Sequence, residues 1–296
     1  MAPLAFALSL TPRGHLILCH ESDAPSLEDG LLERLRSTFE RGPGHGLLQL
    51  GAGETGTALP PVYAYWREFG ARYVTGLCVQ DEHTQAPRRQ PRVTNPPMEE
   101  LERLASAVPP MTGSEYLNAT VLQSLWLELD AAFEHELAES KSGVAEFLKR
   151  RDPAWNLVGR VHFNLAENRK DPASPFAFLA TYTTRLSTQA KVQHMPFGKA
   201  LGEYAGVANK DRLLSLLLPV QRTSESCAWL KTMVDAGEIF HPLRWSPQEA
   251  LQVLRDVPLL EAAGVVVRMP AAWRGNRPPR PHVTGTVGGK APSELG

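Results

Sequence analysis

Residues 156–168 read NLVGRVHFNLAEN, and the alternation of side chains in this stretch decides the fold of the centre of the chain. Val161, Phe163 and Leu165 alternate with polar neighbours, which is typical of a half-buried β-strand because successive side chains point to opposite faces. The stretch FAFLATYTTRLS, residues 176–187, shows the same alternation from residue 180 onward. We predict that the two strands pair across the segment AENRKDPAS, residues 166–174.

Such a hairpin has one aromatic face, which predicts a core, and one polar face. The polar face is predicted to gather six side chains: Arg160, His162, Asn164, Thr181, Thr183 and Arg185.

The rest of the chain favours helices. Two short apolar runs around TPRG predict a second, N-terminal hairpin with strands near residues 3–9 and 15–19. Ser26 is a candidate N-cap for the next helix, and an aromatic stripe after Pro61 predicts a buried helix. Ser246, Pro247 and Glu249 form a capping box for a late helix, which we expect Pro258 to break before the strand VVVRM. The fold class is therefore α+β, predominantly helical, with short antiparallel strand pairs in an N-terminal and a central hairpin.

Composition shifts divide the chain into five predicted segments. They are an N-terminal α+β subdomain at 1–80, a proline-rich linker at 81–97, a helical segment at 98–152, an α+β region with the central hairpin at 153–270, and a Pro/Arg-rich tail at 271–296. The tail reads as the start of a further domain that the chain does not continue.

Charge and cysteine usage limit the possible partners and compartments. Lys plus Arg number 31 and Asp plus Glu 32 in 296 residues, so no global basic field favours nucleic acid. The three cysteines are far apart and lack CxxC spacing, which predicts a reducing cytoplasm and no zinc site. No apolar run approaches the roughly 20 residues of a membrane helix, so we expect a soluble protein without a membrane partner.

Nucleotide and metal motifs fail at required positions. A phosphate loop ending at Gly289 and Lys290 would need Gly at 284 and Ser or Thr at 291, where the chain has Thr284 and Ala291. The glycine cluster GAGETGTA at 51–58 has no lysine, and HELAE at 135–139 lacks the second histidine of the zinc motif HExxH. We therefore predict no cofactor site, no metal site and no catalytic residue in this chain.

Local basic clusters are the remaining candidates for a polyanion. They lie at 149–151, at 88, 89 and 92, and in the tail at Arg274, Arg277 and Arg280. Arginine contacts phosphate by charge and geometry without a motif, so phosphate contact competes here with the ordinary interpretation of a solvated surface.

Several stretches resemble the region that precedes the motor in bacterial Swi/Snf-type DEAD/DEAH-box helicases. They are YWREFGARYVTGLC at 65–78, residues 147–187 from FLKRRDPAW to TYTTRLS, residues 211–270 from DRLLSLLLPV to VVVRMP, and the beginning of the tail. In that family the region is followed by a helicase-associated domain and two RecA-like lobes that use ATP to act on DNA.

The resemblance implies an N-terminal, non-catalytic accessory portion of a DNA-dependent ATPase, as a fragment or the product of a split gene. ATP and Mg²⁺ are implied only for the motor lobes that the chain does not contain. DNA and those lobes are then the expected partners. On this hypothesis Arg160, Arg185 and the three tail arginines are phosphate ligands, and His162, Asn164, Thr181 and Thr183 are their hydrogen-bonding neighbours.

Two alternatives stay open. One is a protein-interaction scaffold that docks a partner on the helices of 98–151 and 196–236 and never touches DNA. The other is a stand-alone metal-dependent nuclease that uses Glu167, Asp171 or His162 near the hairpin loop.

Overall fold

The computed structural model describes residues 6–22, 24–79, 92–168, 171–206 and 210–270. Within these ranges the fold is α+β and predominantly helical, as predicted, with a two-stranded and a five-stranded sheet. Two hydrophobic cores divide the described residues, one built from Leu8 to Val158 and the other from Val161 to Val267. We call the parts around them the first body and the second body.

The first body is a helical bundle beside the N-terminal hairpin. Its strands and α-helices are β1 (Phe6–Leu10), β2 (Leu16–His20), α1 (Asp29–Glu40), α2 (Pro43–Leu48), α3 (Pro61–Val79), α4 (Met98–Ser106), α5 (Ala119–Ser140) and α6 (Val144–Arg151). A π-helical turn, Gln49–Gly53, follows α2, and a 3₁₀ turn, Pro153–Leu157, leads toward the second body. The aromatic stripe after Pro61 is core, as predicted: Trp66, Phe69 and Tyr73 are buried and pack edge-to-face in a chain that includes Trp126 of α5.

The second body is a five-stranded sheet covered by four helices. Its elements are β3 (Val161–Glu167), β4 (Phe176–Leu186), β5 (Val192–Pro196), α7 (Phe197–Tyr204), α8 (Lys210–Ser224), α9 (Ala228–Asp235), β6 (Leu243–Trp245), α10 (Pro247–Ala262) and β7 (Val266–Arg268). The strand order is β5-β4-β3-β7, and β6 also pairs with β4. All pairs are antiparallel except that of β3 with β7, which is parallel.

Both predicted hairpins are confirmed, because β1 pairs with β2 and β3 pairs with β4 in antiparallel registers. The capping box is confirmed as well: the Ser246 hydroxyl accepts from the Glu249 amide while the Glu249 carboxylate accepts from the Ser246 amide at 2.7 Å. Ser26 is not a cap, since α1 begins at Asp29 after Glu28. Pro258 does not break α10, which continues to Ala262 because Leu260 beyond the proline is fully buried in the second core.

The predicted segment boundaries stay predictions, and packing adds one fact to them. Residues from the 1–80 segment and from the 98–152 segment share the first core, where Trp66 and Leu77 pack with Leu125 and Phe147. Within the described ranges, no helix combines the length and the apolar composition that crossing a bilayer requires.

Candidate nucleic-acid interface

The five-stranded sheet has one strongly apolar face. Val161, Phe163 and Leu165 of β3 are buried with Phe178, Ala180 and Tyr182 of β4, and α7 to α10 pack over them. The rings of Phe163 and Phe178 lie 5.3 Å apart. Because side chains alternate along a strand, the intervening residues must point to the opposite face.

That opposite face, which we call the polar face, contains five of the six predicted side chains. His162 lies opposite Thr181, and the Thr183 amide donates to the Arg160 carbonyl at 3.0 Å, so these four share one face. Asn164 follows two positions after His162. Its amide group donates to the Thr181 hydroxyl at 2.9 Å.

Three of these five side chains are inaccessible to solvent. His162 and Thr183 are 0% exposed and Thr181 is 5% exposed. Both the Thr183 hydroxyl and the His162 Nε2–H donate to the carbonyl of Leu157, in the 3₁₀ turn that leaves the first body. These side chains therefore hold the sheet against that turn and cannot reach a ligand while the turn is in place.

Arg185 lies on the other face of the sheet, which corrects its predicted place beside Thr183. A bulge between these two residues makes Thr183 pair with His194 but Arg185 with Gln193. Because Gln193 and His194 are consecutive in β5, they point to opposite faces. The Arg185 Nε–H donates to the Gln193 side chain at 2.9 Å, and Arg185 is exposed.

Two residues that the sequence did not single out complete the polar face. His194 comes from β5 and Arg268 from β7, and their contact spans the two strands between them: an Arg268 N–H donates to His194 Nε2 at 2.8 Å. The other ring nitrogen of His194, Nδ1, lies 3.1 Å from the Thr181 hydroxyl. The sequence VVVRM contained a signal for this placement of Arg268, because in a strand that buries Val267 the next side chain points to the opposite face.

The hydrogen-bond partners fix the proton positions on both histidines. A guanidinium can only donate, so His194 Nε2 accepts and its proton sits on Nδ1, which donates to Thr181. A carbonyl can only accept, so the His162 proton sits on Nε2. His162 Nδ1 is then a bare, buried acceptor, and within the part of the chain that the structure describes it has no partner.

The surroundings of the two histidines oppose positive charge. Burial lowers the pKa of His162 to about 4, and the nearby His194, Arg268 and Arg160 add to this effect. Burial, then the charge of Arg268, also lowers the pKa of His194. The rings of His162 and His194 meet edge-to-face at 4.8 Å between centroids. Both imidazoles are therefore neutral near pH 7.

The residues considered for a metal-dependent nuclease do not converge. His162 and Glu167 are five positions apart on β3, which separates their backbones by about 16 Å. Asp171 lies in the hairpin loop, where its carboxylate accepts from the Ala173 and Ser174 amides. Among the described residues, no group of three His, Cys, Asp or Glu side chains is placed to hold a metal ion.

The glycine cluster at 51–58 serves helix packing. Gly51 lies against Gly70 of α3 so closely that a Cβ on either residue would collide with backbone atoms. Glu54 of the same stretch is buried and accepts from Arg34 at 2.8 Å and from Gln49 at 3.0 Å. The stretch therefore provides a close contact between helices and a buried ion pair.

The HELAE stretch belongs to a buried ion network in the first body. Glu136 is 6% exposed and accepts from His45 at 2.8 Å, from Arg41 and from Arg151. Arg151, a member of the predicted basic cluster at 149–151, is thus neutralised. Arg88, Arg89 and the tail arginines 274, 277 and 280 lie outside the described residues.

Comparison with known proteins adds one finding. A family model described as SNF2 Helicase protein matches residues 238–296. No curated protein and no solved structure matches the chain. The described part of the match, residues 238–270, contains β6, α10 and β7, and therefore Arg268. The C-terminal part of the chain is thus associated with SNF2-type helicases.

Proposed function

We propose that this chain is the non-catalytic, N-terminal accessory portion of an SNF2-type DNA-dependent ATPase and that it contributes DNA or partner binding. The match of residues 238–296 to the SNF2 helicase model is the observation that carries the proposal. ATP and Mg²⁺ would then belong to motor lobes outside the chain. The proposal includes a bacterial cytoplasmic setting, which suits three cysteines that form no disulfide.

The packing of the matched segment supports extending the role to the whole second body. β6 pairs with β4 and β7 pairs with β3, so the matched residues complete a sheet that begins at Val161. The segment also buries Trp245, Val253 and Val267 in the second core. A structural role for the match therefore involves the second body as a unit.

The charges of the second body support DNA as the ligand. Arg160 and Arg268 are half-buried on the polar side of the sheet, and no ion pair joins either of them to a carboxylate within the described residues. An arginine that lacks a carboxylate partner is suited to phosphate oxygens.

The experiment measures DNA binding and ATP hydrolysis by the full chain. Fluorescence anisotropy with a labelled duplex and a labelled single strand, over a salt series, should show binding that weakens as salt rises, because phosphate contacts release counterions. ATP hydrolysis should be at background with and without DNA. Lack of binding to both DNA forms at low salt would refute the DNA role, and DNA-stimulated hydrolysis would refute the non-catalytic assignment.

Exposed leucines favour the protein scaffold as a second candidate. Leu127 on α5 is 47% exposed, and Leu214 and Leu217 on α8 are 40% and 37% exposed. They fall in the two helical segments, 98–151 and 196–236, that the scaffold hypothesis uses. Separately produced SNF2-type motor lobes should co-elute with the chain in gel filtration, and Leu214→Gln with Leu217→Gln should abolish co-elution. Co-elution that survives both substitutions would exclude α8 as the docking surface.

A further inference from the structure

We infer that Arg160 and Arg268 hold the phosphate backbone of a nucleic acid along the margin of the polar face that the turn of residues 153–157 leaves accessible, and that His194 retains Arg268 until protonation of His194 releases it. The inference rests on the proposed DNA role and adds the residues and the regulation of the contact. Neither His194 nor Arg268 is a predicted site residue, and both are brought to the face by strands β5 and β7.

Unneutralised charge is the first observation. In the first body, Arg34, Arg41, Arg72 and Arg151 each lie within ion-pair distance of a glutamate. Arg160 and Arg268 have no such partner in the described ranges, and Arg268 instead donates to a neutral imidazole. Since a half-buried guanidinium without a counter-charge is costly, the polar face is prepared for an anion from outside.

Spacing decides which anion fits. β3 and β7 run parallel with Asn164 beside Arg268, and Arg160 precedes Asn164 by four residues. The backbone positions of the two arginines are therefore about 13 Å apart along the strands. His162, which lies between them on β3, is buried beneath the turn of residues 153–157, so a bound chain must pass outside that turn. The guanidinium of Arg268 lies beside His194 on β5, and that of Arg160 lies beside Gly264. An extended chain of phosphates can meet both separated groups at once, whereas a single inorganic phosphate would require the two side chains to move together.

The direction of the hydrogen bond means that His194 holds the Arg268 side chain only in its neutral form. His194 Nε2 can accept from Arg268 only while the imidazole is neutral, because a protonated imidazole has two donors and no acceptor. Protonation therefore breaks the 2.8 Å contact and places two cations side by side at an exposed part of the face. A phosphate bound there would stabilise both the protonated His194 and Arg268, because it can accept hydrogen bonds from each.

The sign of the pH dependence follows from the groups around His194. They are Thr181 and Thr183 on β4, His162 on β3, Arg268 on β7, and Gln193 next to it on β5. Burial and Arg268 keep the pKa of His194 below its usual value, and a bound phosphate raises it. Binding then takes up a proton, so DNA affinity should rise as pH falls from 8.0 to 5.5.

The test compares three variants of the full chain by anisotropy with a 20-base-pair duplex at fixed salt, after circular dichroism has verified their folding. Arg268→Gln should weaken binding about tenfold and reduce the salt slope by about one. Wild-type affinity should increase about three- to tenfold between pH 8.0 and pH 5.5. His194→Gln should retain binding at pH 8.0 and lose that increase, because an amide does not titrate in this range. Arg255→Gln is the matched control: it removes an exposed arginine on α10, across the sheet, and should leave both measurements unchanged.

Each of the following results would contradict either the inference or the proposed function. If the wild type binds DNA and Arg268→Gln binds equally well, the inference is wrong while the proposed function stands. If the wild type does not bind DNA, the proposed DNA role fails and the inference with it. If His194→Gln keeps the full pH dependence, protonation of His194 does not control the release of Arg268. If inorganic phosphate at matched ionic strength displaces the duplex from the wild type but not from Arg268→Gln, the site takes a single phosphate and the extended-backbone inference is wrong.

Discussion

The substitution Thr183→Val separates a structural role for the polar face from direct contact with DNA. Thr183 is 0% exposed, and its hydroxyl donates to the Leu157 carbonyl and accepts from the Arg160 amide at 3.2 Å. Valine has nearly the same shape and favours strands, so the change removes the hydroxyl without opening a cavity. The substitution leaves the Arg160 N–H without its acceptor and the Leu157 carbonyl with a hydrogen bond only from His162.

The expected cost is about 1–3 kcal/mol in the free energy of unfolding, the usual penalty for leaving a buried polar group unpaired. Urea denaturation followed by far-UV circular dichroism measures it, and hydrogen exchange in residues 156–168 shows where the structure loosens. Because the described residues form two cores, the unfolding transition that involves the second body is the one to compare.

Thr184→Val is the matched control. Thr184 is the next residue, half-buried, with a single long hydrogen bond of 3.4 Å to the Gln193 carbonyl at the surface. Its substitution should change stability by no more than about 0.5 kcal/mol. Equal effects of the two substitutions would refute the anchoring role of Thr183. Folded Thr183→Val protein that loses DNA affinity while Arg268→Gln does not would show that this hydroxyl contacts the ligand.

Three further predictions concern stability. Phe163→Ala should destabilise the second body by about 3–5 kcal/mol, because this side chain is 1% exposed. The control Leu259→Ala, at a 49% exposed position, should change the free energy of unfolding by no more than about 0.5 kcal/mol. Comparable shifts of the urea midpoint in the two variants would contradict the assigned core. Ser246→Ala should lower stability by about 1 kcal/mol and Ser246→Gly by less, measured by thermal unfolding, and an equal loss would argue against the capping box. Burial lowers the pKa of His162 to about 4 in the folded protein, against about 6.5 when unfolded, so the free energy of unfolding should be complete above pH 6.5 and decline by up to about 3 kcal/mol toward pH 4. His241→Gln, which changes an exposed histidine, should keep this profile. An NMR titration that gives His162 a pKa near 6.5 would contradict the prediction.

Local pattern sufficed where local physics decides the structure. Alternation in residues 161–165 and 180–183 predicted β3, β4 and their antiparallel pairing, because the apolar side of each strand must be buried. The capping box at Ser246 was equally readable, since its two hydrogen bonds join residues three apart. The strand VVVRM was recognised as β7, but its parallel partner was not.

Long-range packing explains the two strands that the sequence analysis missed and its wrong predictions for Pro258 and Arg185. β5 (VQHMP) and β6 (LRW) are short, and the pattern of neither predicts a strand; pairing with β4 makes them strands. Pro258 was expected to end a helix, yet burial of Leu260 outweighs the one hydrogen bond that a proline removes. The bulge that turns Arg185 away depends on its register with Gln193, which strand alternation alone cannot predict.

Accessibility of the polar face was the least predictable property, because it depends on a turn that folds back from the first body. Trp155 anchors this turn in the first core, where its indole N–H donates to the Ala52 carbonyl at 3.0 Å. The next residues bring the Leu157 carbonyl over the sheet, where two buried side chains donate to it. A change in the contact between the two bodies would therefore alter the polar face directly.

The polar face is assembled from distant parts of the chain, and this bears on how the family match is interpreted. Arg268 lies inside the matched segment, whereas Arg160 and His194 precede it by 78 and 44 residues of sequence. A three-residue strand such as β7 has no stability of its own and exists by pairing with β3. Of the two arginines on the polar face, the matched segment alone would consequently carry only Arg268, without the strand β3, His194 or Arg160 that give it a role. If the SNF2-type association reflects a phosphate contact, the smallest unit able to make it extends from Arg160 to Arg268.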